Sequence, residues 1–399
     1  MDLHLASIIL LHQWRGLTRS TEENIDDLEE VVALFLSNTK RKFVYSRNRK
    51  VFLKSLSREQ RQIRCRNIPR RCLHEPGKSA WRKLYAGGND AAMITFTGLD
   101  HCTFEELNVK FKLLFELYTP HSDSGCIERK QSRRLRRGRP RSIKSMDCLA
   151  LVLAWTRTRG SMHVLQIIFG LTGAVVSVYL RFGRRLLVTI LKREKGAMVV
   201  MPSSEKIKAY MDSISERHPK LLGVWCTMDG LKLLLEQAPE SIIENRFYNG
   251  WTHDHYVGNV LVFCPDGAIP MACTNVPGKL ECVYEEHGGG LCTVDSAFCK
   301  KANVFLLKSS QSLPDDPDAF TVNEEATSMK QSAEWGMRAL QGSFPRIKDR
   351  FAYEERGERK IVLKMIVLLY NYRANKVGIN QIRNTYMPAL DVQCNIFAP

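Results

Sequence analysis

Apolar residues in this chain keep two rhythms, and the change between them near residue 200 divides it. Before that point they recur every three or four positions, the spacing of helices that bury one face. Residues 96–118 predict a small helical unit. Thr103 followed by Glu105 and Glu106 reads as a helix start, and Leu107, Phe111, Leu114 and Leu117 make its stripe. A second helix is expected from a cap at Asp147 through Leu149, Leu151, Leu153 and Trp155, ending at Gly160-Ser161. A short helix over residues 163–169, a turn over 170–172 and a long helix over 174–191 follow. Beyond residue 200 the apolar runs shorten and turn residues punctuate them, as in strands. Residues 206–217 read as a helix, 221–228 as a first strand, and 254–264 with 269–274 as a hairpin about Asp266-Gly267. Two more short strands are expected at 291–294 and 304–308. Helices resume at 326–340, with Met329, Ala333, Gly336 and Leu340 turned inward, and at 360–375, with Val362, Met365, Ile366 and Leu369 as the stripe.

The second region carries the chemistry. Three antiparallel strands and then a crossover would set the fourth strand beside the first. Asp229 ends the first apolar run and Asp295 the fourth, so this order brings two carboxylates to one sheet rim. Glu334 lies with Gln331 and Arg338 on a helix edge next to the packed stripe. Two carboxylates ~4 Å apart repel by roughly 4 kcal/mol at an effective dielectric near 20, so such a cluster wants a divalent cation. Oxygen-only donors suit Mg²⁺ or Mn²⁺, and a pair of such ions can clamp a phosphodiester during in-line attack. Asp229, Asp295 and Glu334 are therefore candidate metal ligands and catalytic residues of a nuclease or strand-transfer enzyme. The competing reading of each is a solvated carboxylate. His253-Asp254-His255 also looks like a metal cluster, but strand alternation sets Asp254 opposite both histidines, so they read as strand-edge residues.

A formal net charge of +17 points to a polyanionic partner. Residues 40–83 are dense in Lys and Arg, which suits either a solvated arm or one that contacts phosphates without reading sequence. In the basic linker at 129–144, Arg137-Gly138-Arg139-Pro140 resembles the core of an AT-hook, where two arginines follow a narrow minor groove. The same run suits a nuclear-localisation signal or a plain linker. The helices between 147 and 191 match a helix-turn-helix whose last helix carries Arg181, Arg184 and Arg185, although an ordinary bundle shows the same spacing. Arg346, Lys348 and Arg350 follow Pro345 and can line a DNA groove, and Arg338 can contact phosphate or orient Glu334, with a surface salt bridge as the competing reading. No run of about 18 apolar residues occurs, so no spanning helix and no membrane partner is expected. The twelve cysteines contain no Cys-x-x-Cys pair and read as reduced structural thiols rather than a zinc module. Gly77-Lys78-Ser79 is not a phosphate loop, because Cys72 stands where its first glycine belongs.

Several phrases, taken in order, resemble one family. They are Met228-Asp229-Gly230, the Asp266-Gly267 turn, Asn275-Val276-Pro277-Gly278, Val294-Asp295-Ser296-Ala297-Phe298, the helix around Glu334, and Leu369-Tyr370-Asn371-Tyr372-Arg373. Over residues 146–388 the chain resembles Harbinger-type DDE transposases. The resemblance implies an α/β, RNase H-like mixed sheet flanked by helices, preceded by an all-helical helix-turn-helix domain. It implies a nuclear DDE transposase/endonuclease that cuts and joins DNA at terminal inverted repeats, with Asp229, Asp295 and Glu334 holding Mg²⁺ (or Mn²⁺). The implied partners are that DNA, a separate Myb-like DNA-binding protein and further copies of the chain. The expected organisation is a basic, poorly ordered arm (1–90), a small helical unit (91–125), a basic linker (126–145), the helix-turn-helix domain (146–200) and the catalytic domain (201–390). One departure stands out. In the family, Pro-Gly leads into a His-Asp segment and a longer helix, whereas Lys279-Leu280-Glu281 follows directly here. About a dozen or more residues are missing from a crossover that needs that many. The rivals are a catalytically inactive, transposase-derived DNA-binding protein, and an RNA-binding protein that uses only its charge.

Overall fold

A computed structural model of the protein describes residues 68–120, 128–129, 141–236, 247–249, 253–277, 291–294, 306–308, 317–352 and 356–387. The basic arm before residue 68 lies outside the described residues. So do Arg137, Arg139, the crossover at 278–290 and Asp295. Among the described residues the fold is mixed α/β. The chain divides into two compact units at Asn67, and Ile68–Pro399 is the unit that carries all the described elements.

Helices come first: α1 (Ala80–Ala86), α2 (Asp90–Thr97), α3 (His101–Leu117), α4 (Ser145–Arg157), α5 (His163–Phe169) and α6 (Gly173–Leu191). Short polar side chains start three of them. Ser79, Asn89 and Asp100 each accept a hydrogen bond from a backbone N–H in the first turn of α1, α2 and α3. The cap of α3 is thus Asp100, ahead of the Thr103 start read from the sequence. Asp147 is likewise inside α4 rather than its cap. Its carboxylate accepts from the Lys144 backbone, the Trp81 indole and Arg82. Residues 70–86, expected to belong to the arm, are folded here. Trp81 is fully buried against Phe96, Phe104 and Phe169, and Asp147 anchors its N–H.

α4 is buried from Asp147 through Thr156, so it is the bundle's centre. Gly183 of α6 lies against it; a Cβ at that glycine would meet Val152 at 2.6 Å and the Cys148 sulfur at 2.9 Å. No single described helix is long and apolar enough to cross a membrane.

The second part begins with α7 (Ser204–Arg217) and builds a six-stranded mixed sheet from β1 (Val224–Leu234), β2 (Tyr248–Asn249), β3 (Asp254–Phe263), β4 (Met271–Pro277), β5 (Leu291–Val294) and β6 (Leu306–Lys308). β3 is antiparallel to both β1 and β4, while β5 is parallel to β1 and β6 parallel to β5. The hairpin expected about Asp266-Gly267 joins β3 to β4. Gly267 has φ +77°, and the Asp266 carboxylate accepts from Tyr210 at 2.5 Å and Lys206 at 2.8 Å, tying the turn to α7.

α7 covers one face of the sheet, over Cys226, Met228, Val260, Val262, Cys292 and Val294. The other face meets α8 (Pro317–Ser343) and α9 (Arg356–Lys376), and α10 (Gln381–Tyr386) closes the chain's described part. Met329, Ala333, Gly336 and Leu340 of α8 are buried as their spacing predicts. Gly336 is required by closeness: a Cβ there would lie 2.6 to 2.8 Å from ring carbons of Phe263, which is itself fully buried. Gly336→Val is therefore expected to lower stability by about 1–3 kcal/mol through overpacking. Gly342→Ala, on the same helix with open space around it, is expected to change stability little. Urea midpoints of the two variants check this, and equal midpoints would contradict it.

Candidate functional site

Asp229 does not end its strand. β1 runs on to Leu234, with Asp229 paired to Leu261 and Leu234 to Tyr256. The sequence reading stopped too early because Leu231 and Leu233 are buried while Gly230, Lys232 and Leu234 are exposed, the alternation of a strand with one wet face. The rim expected at Asp229 is made instead by the end of β5, which pairs Thr227 with Thr293 and stops at Val294. Cross-strand neighbours share a face, so Asp229 stands on the side of Leu261. Leu261 and Phe263 belong to the core under α8, and Gly336 lies on the Phe263 ring. Asp229 is half-buried, and its Oδ1 accepts from the Gly230 N–H at 2.7 Å.

Asp295 follows Val294 and lies outside the described residues. Glu334 is on α8, but ~160° around the helix from Gly336. Its side chain is 47 % exposed and pairs with Arg338, one turn on, at 3.5 Å. Among the described residues no three His, Cys, Asp or Glu side chains are grouped to hold a metal ion. Of the expected triad, then, Asp229 is set on the α8 side of the sheet, while Glu334 faces away from the core that α8 covers. Both side chains carry the hard carboxylate oxygens that Mg²⁺ or Mn²⁺ takes.

The histidines next to Asp254 also differ from expectation. His253 precedes the strand with φ +51°, outside strand alternation, and His255 is 5 % exposed beside Tyr248. Asp254 is gripped by Arg350 through two hydrogen bonds of 2.9 and 2.8 Å, which hold its carboxyl below the usual range.

The basic residues fall into two groups. Arg181 is exposed on the same stripe of α6 as Ala174, Ser177 and Val178, along the half of the helix nearest its N-terminus. α5 and α6 meet at 92°, and Gly170, at φ +65°, opens the turn between them. Lys348 and Arg338 are exposed as well. Arg184, Arg185 and Arg346 are not. Arg184 and Arg185 both bind the Glu358 carboxylate of α9, with side chains only 14 and 16 % exposed. Arg346 binds the Gly160 carbonyl at 2.9 Å and Asp349 at 3.2 Å. The guanidinium carbons of Arg184 and Arg346 lie 4.9 and 5.0 Å from the centroid of the Trp155 ring. These three arginines join α4, α6 and α9 to one another.

Sequence reading missed a buried polar network behind the sheet. The Asn275 N–H donates to Asn259 Oδ1 at 2.9 Å. The Asn275 side-chain oxygen accepts from Arg359 Nε at 2.5 Å, and Arg359 also donates to the Ala352 carbonyl. The signal was a non-glycine residue at a β-bulge: Asn275 has φ +65°, opposite the register shift between Gly258 and Val260. Asn tolerates that conformation better than most residues. Comparison with protein-family models, with curated proteins and with solved structures found no match.

The two carboxylates paired with basic residues on these helices should behave differently on removal. Glu358→Ala strands two largely buried guanidinium groups and is expected to cost about 2–3 kcal/mol. Glu334→Ala removes an exposed i,i+4 pair and is expected to cost little. Chemical denaturation of both variants measures the difference, and a small loss for Glu358→Ala would count against the structural role of Arg184 and Arg185.

Proposed function

We propose that this chain acts on DNA as a metal-dependent endonuclease of the Harbinger-type DDE class, with an RNase H-like sheet. The reading rests chiefly on one observation, the parallel pairing of β5 with β1 at Thr227 and Thr293. Asp229 lies two residues beyond Thr227 and Asp295 two residues beyond Thr293. The strand order β4-β3-β1-β5-β6, with three antiparallel strands leading to parallel ones, supports the RNase H-like assignment.

Mg²⁺ or Mn²⁺ held by Asp229 and Asp295 would supply Lewis-acid activation of water or of a DNA 3′-hydroxyl. Asp229 is oriented for this by β1 and β3, paired on both sides of it. The right-angled α5–α6 pair, its three-residue turn and the exposed N-terminal stripe of α6 support a helix-turn-helix, whose last helix contacts base edges with its first turns. Ser177, Val178 and Arg181 are the residues that would meet the groove. Terminal inverted repeats are the substrate in this reading, the nucleus the site of action, and a Myb-like protein and further copies of the chain the partners.

A second reading, an inactive DNA-binding relative of such enzymes, draws on the exposed Glu334–Arg338 pair, which engages that carboxylate on its own helix. The purified full chain, Mg²⁺ and inverted-repeat duplexes separate the two. Cleavage that Asp229→Asn abolishes, with Glu334→Gln costing far less, is the expected outcome. Tight duplex binding without cutting would replace the enzyme by the second reading. A preference for RNA over duplex DNA would overturn both.

A further inference from the structure

Where α4, α6 and the start of α9 meet residues 345–352, they enclose a cavity of about 140 Å³. Trp155, Arg184, Arg346, Arg350, Glu358 and Arg359 are among its lining residues. An adjoining open cleft, bounded by Glu236, His253 and Asp254, shares Arg350 with it. Six guanidinium groups (Arg159, Arg184, Arg185, Arg346, Arg350 and Arg359) stand in or against this place. Four carboxylates face them: Glu358 is engaged by Arg184 and Arg185, Asp349 by Arg159 and Arg346, and Asp254 by Arg350, while Glu236 lines the cleft. Arg184, Arg185 and Arg346 are largely buried, whereas Arg159 and Arg350 are about half exposed at the mouth. Burial pushes Arg346 below the ordinary guanidinium range, and burial with the neighbouring Arg356 charge does the same to Arg359. Confined like charges raise the free energy of the fold unless an anion completes them.

The volume decides what kind of anion. Sites for whole organic ligands run to roughly 300–1,000 Å³, so this cavity admits a group and not a molecule. Guanidinium forks match phosphate oxygens two at a time. Arg184 is three residues past Arg181 on α6, a rise of ~4.5 Å along the helix, so the cavity adjoins the exposed stripe of that helix. We propose that this arginine-lined cavity takes one phosphate group of a nucleic-acid backbone, clamping the strand where the helical bundle and the sheet meet. It rests on the DNA-binding part of the function proposed above and not on cleavage.

The test uses the full chain and duplexes of random sequence, with the affinity followed against salt concentration. Each phosphate contact contributes about 0.9 to the slope of log K against log salt, so Arg350→Gln is expected to flatten that slope by about 1. Asp254→Asn, which releases Arg350 from its carboxylate, is expected to tighten binding. A purely structural Arg350–Asp254 pair would make both variants weaken binding through lost stability, and that result would overturn the proposal. An unchanged slope for Arg350→Gln would overturn it too. Inorganic phosphate, set against chloride at equal ionic strength, is expected to raise the melting temperature of the wild type and not of Arg350→Gln. Phosphate stabilisation with an unaltered DNA slope would assign the cavity to a free phosphate and defeat the nucleic-acid source. A flattened slope in a chain that does not cut leaves this proposal standing while the enzyme falls; intact cutting with an unaltered slope does the reverse.

Discussion

The fold depends on α9 having no wet side along its middle. From Met365 to Tyr372 every residue is buried, the mark of a helix enclosed by its own protein rather than laid on it. α6 packs along one flank and β4 along another. The Tyr372 hydroxyl is buried without a hydrogen-bond partner, but the polar side chains on either side of it are matched. Asn371 accepts from the Ile269 N–H at 2.8 Å and donates to the carbonyls of Ile269 and Met198. Arg373, two residues on, donates to Gly98 and Ser343. One stretch, Leu369-Tyr370-Asn371-Tyr372-Arg373, thus satisfies backbone groups just before β4, after α6 and after α2, and the Ser343 hydroxyl at the end of α8. An unmatched buried N–H or C=O costs about 1–3 kcal/mol, so the stretch that resembles a family signature has a sufficient structural reason for its composition.

Because helices and sheet share that enclosed helix, basic residues carry two different duties. Those on the first half of α6 are free to meet a ligand. Those on its second half reach Glu358 at the start of α9 and hold the bundle to the sheet. The net charge of the chain cannot separate these groups, since steering a polyanion depends on the summed field while welding two layers depends on individual distances. Arg184 and Arg346 both lie against the Trp155 ring. Their stacking is structural, yet it concentrates positive charge at the boundary between layers.

Local signals in the sequence located most elements. The breaks at Gly160 and Gly170 bound α5, the Asp266-Gly267 turn sits at the hairpin, and the α8 stripe is buried where spacing placed it. What failed had tertiary causes. Trp81 lies in a segment whose composition reads as a solvated arm, and only the slot formed by Phe96, Phe104 and Phe169 makes it core. The strand carrying Asp229 continues past its apolar run because β3 pairs with it through Tyr256. Nothing nearby in sequence announces Glu358 or Trp155 as neighbours of Arg184, Arg185 and Arg346, so their exposure was misjudged but not their charge. Glu334 shares its helix edge with Arg338 in the sequence reading and in the structure, but which way that edge faces is set by the fit of Gly336 on Phe263.

The shortened crossover bears on chemistry more than on topology. Between Pro277 and Leu291 there are thirteen residues, which reach at most ~43–47 Å when extended. Moving from β4 past β3 and β1 to β5 is three strand spacings, ~14 Å, and returning along a strand of typical length adds ~17–20 Å. The length suffices without a helix. Nor does the central strand lack cover: α7 packs on one face of β1 and α8 on the other. A longer crossover would therefore add little to the burial of β1. On the function proposed above, what it would add is polar side chains near the end of β5, so a shorter crossover would bear on the proposed metal site and not on the sheet that frames it.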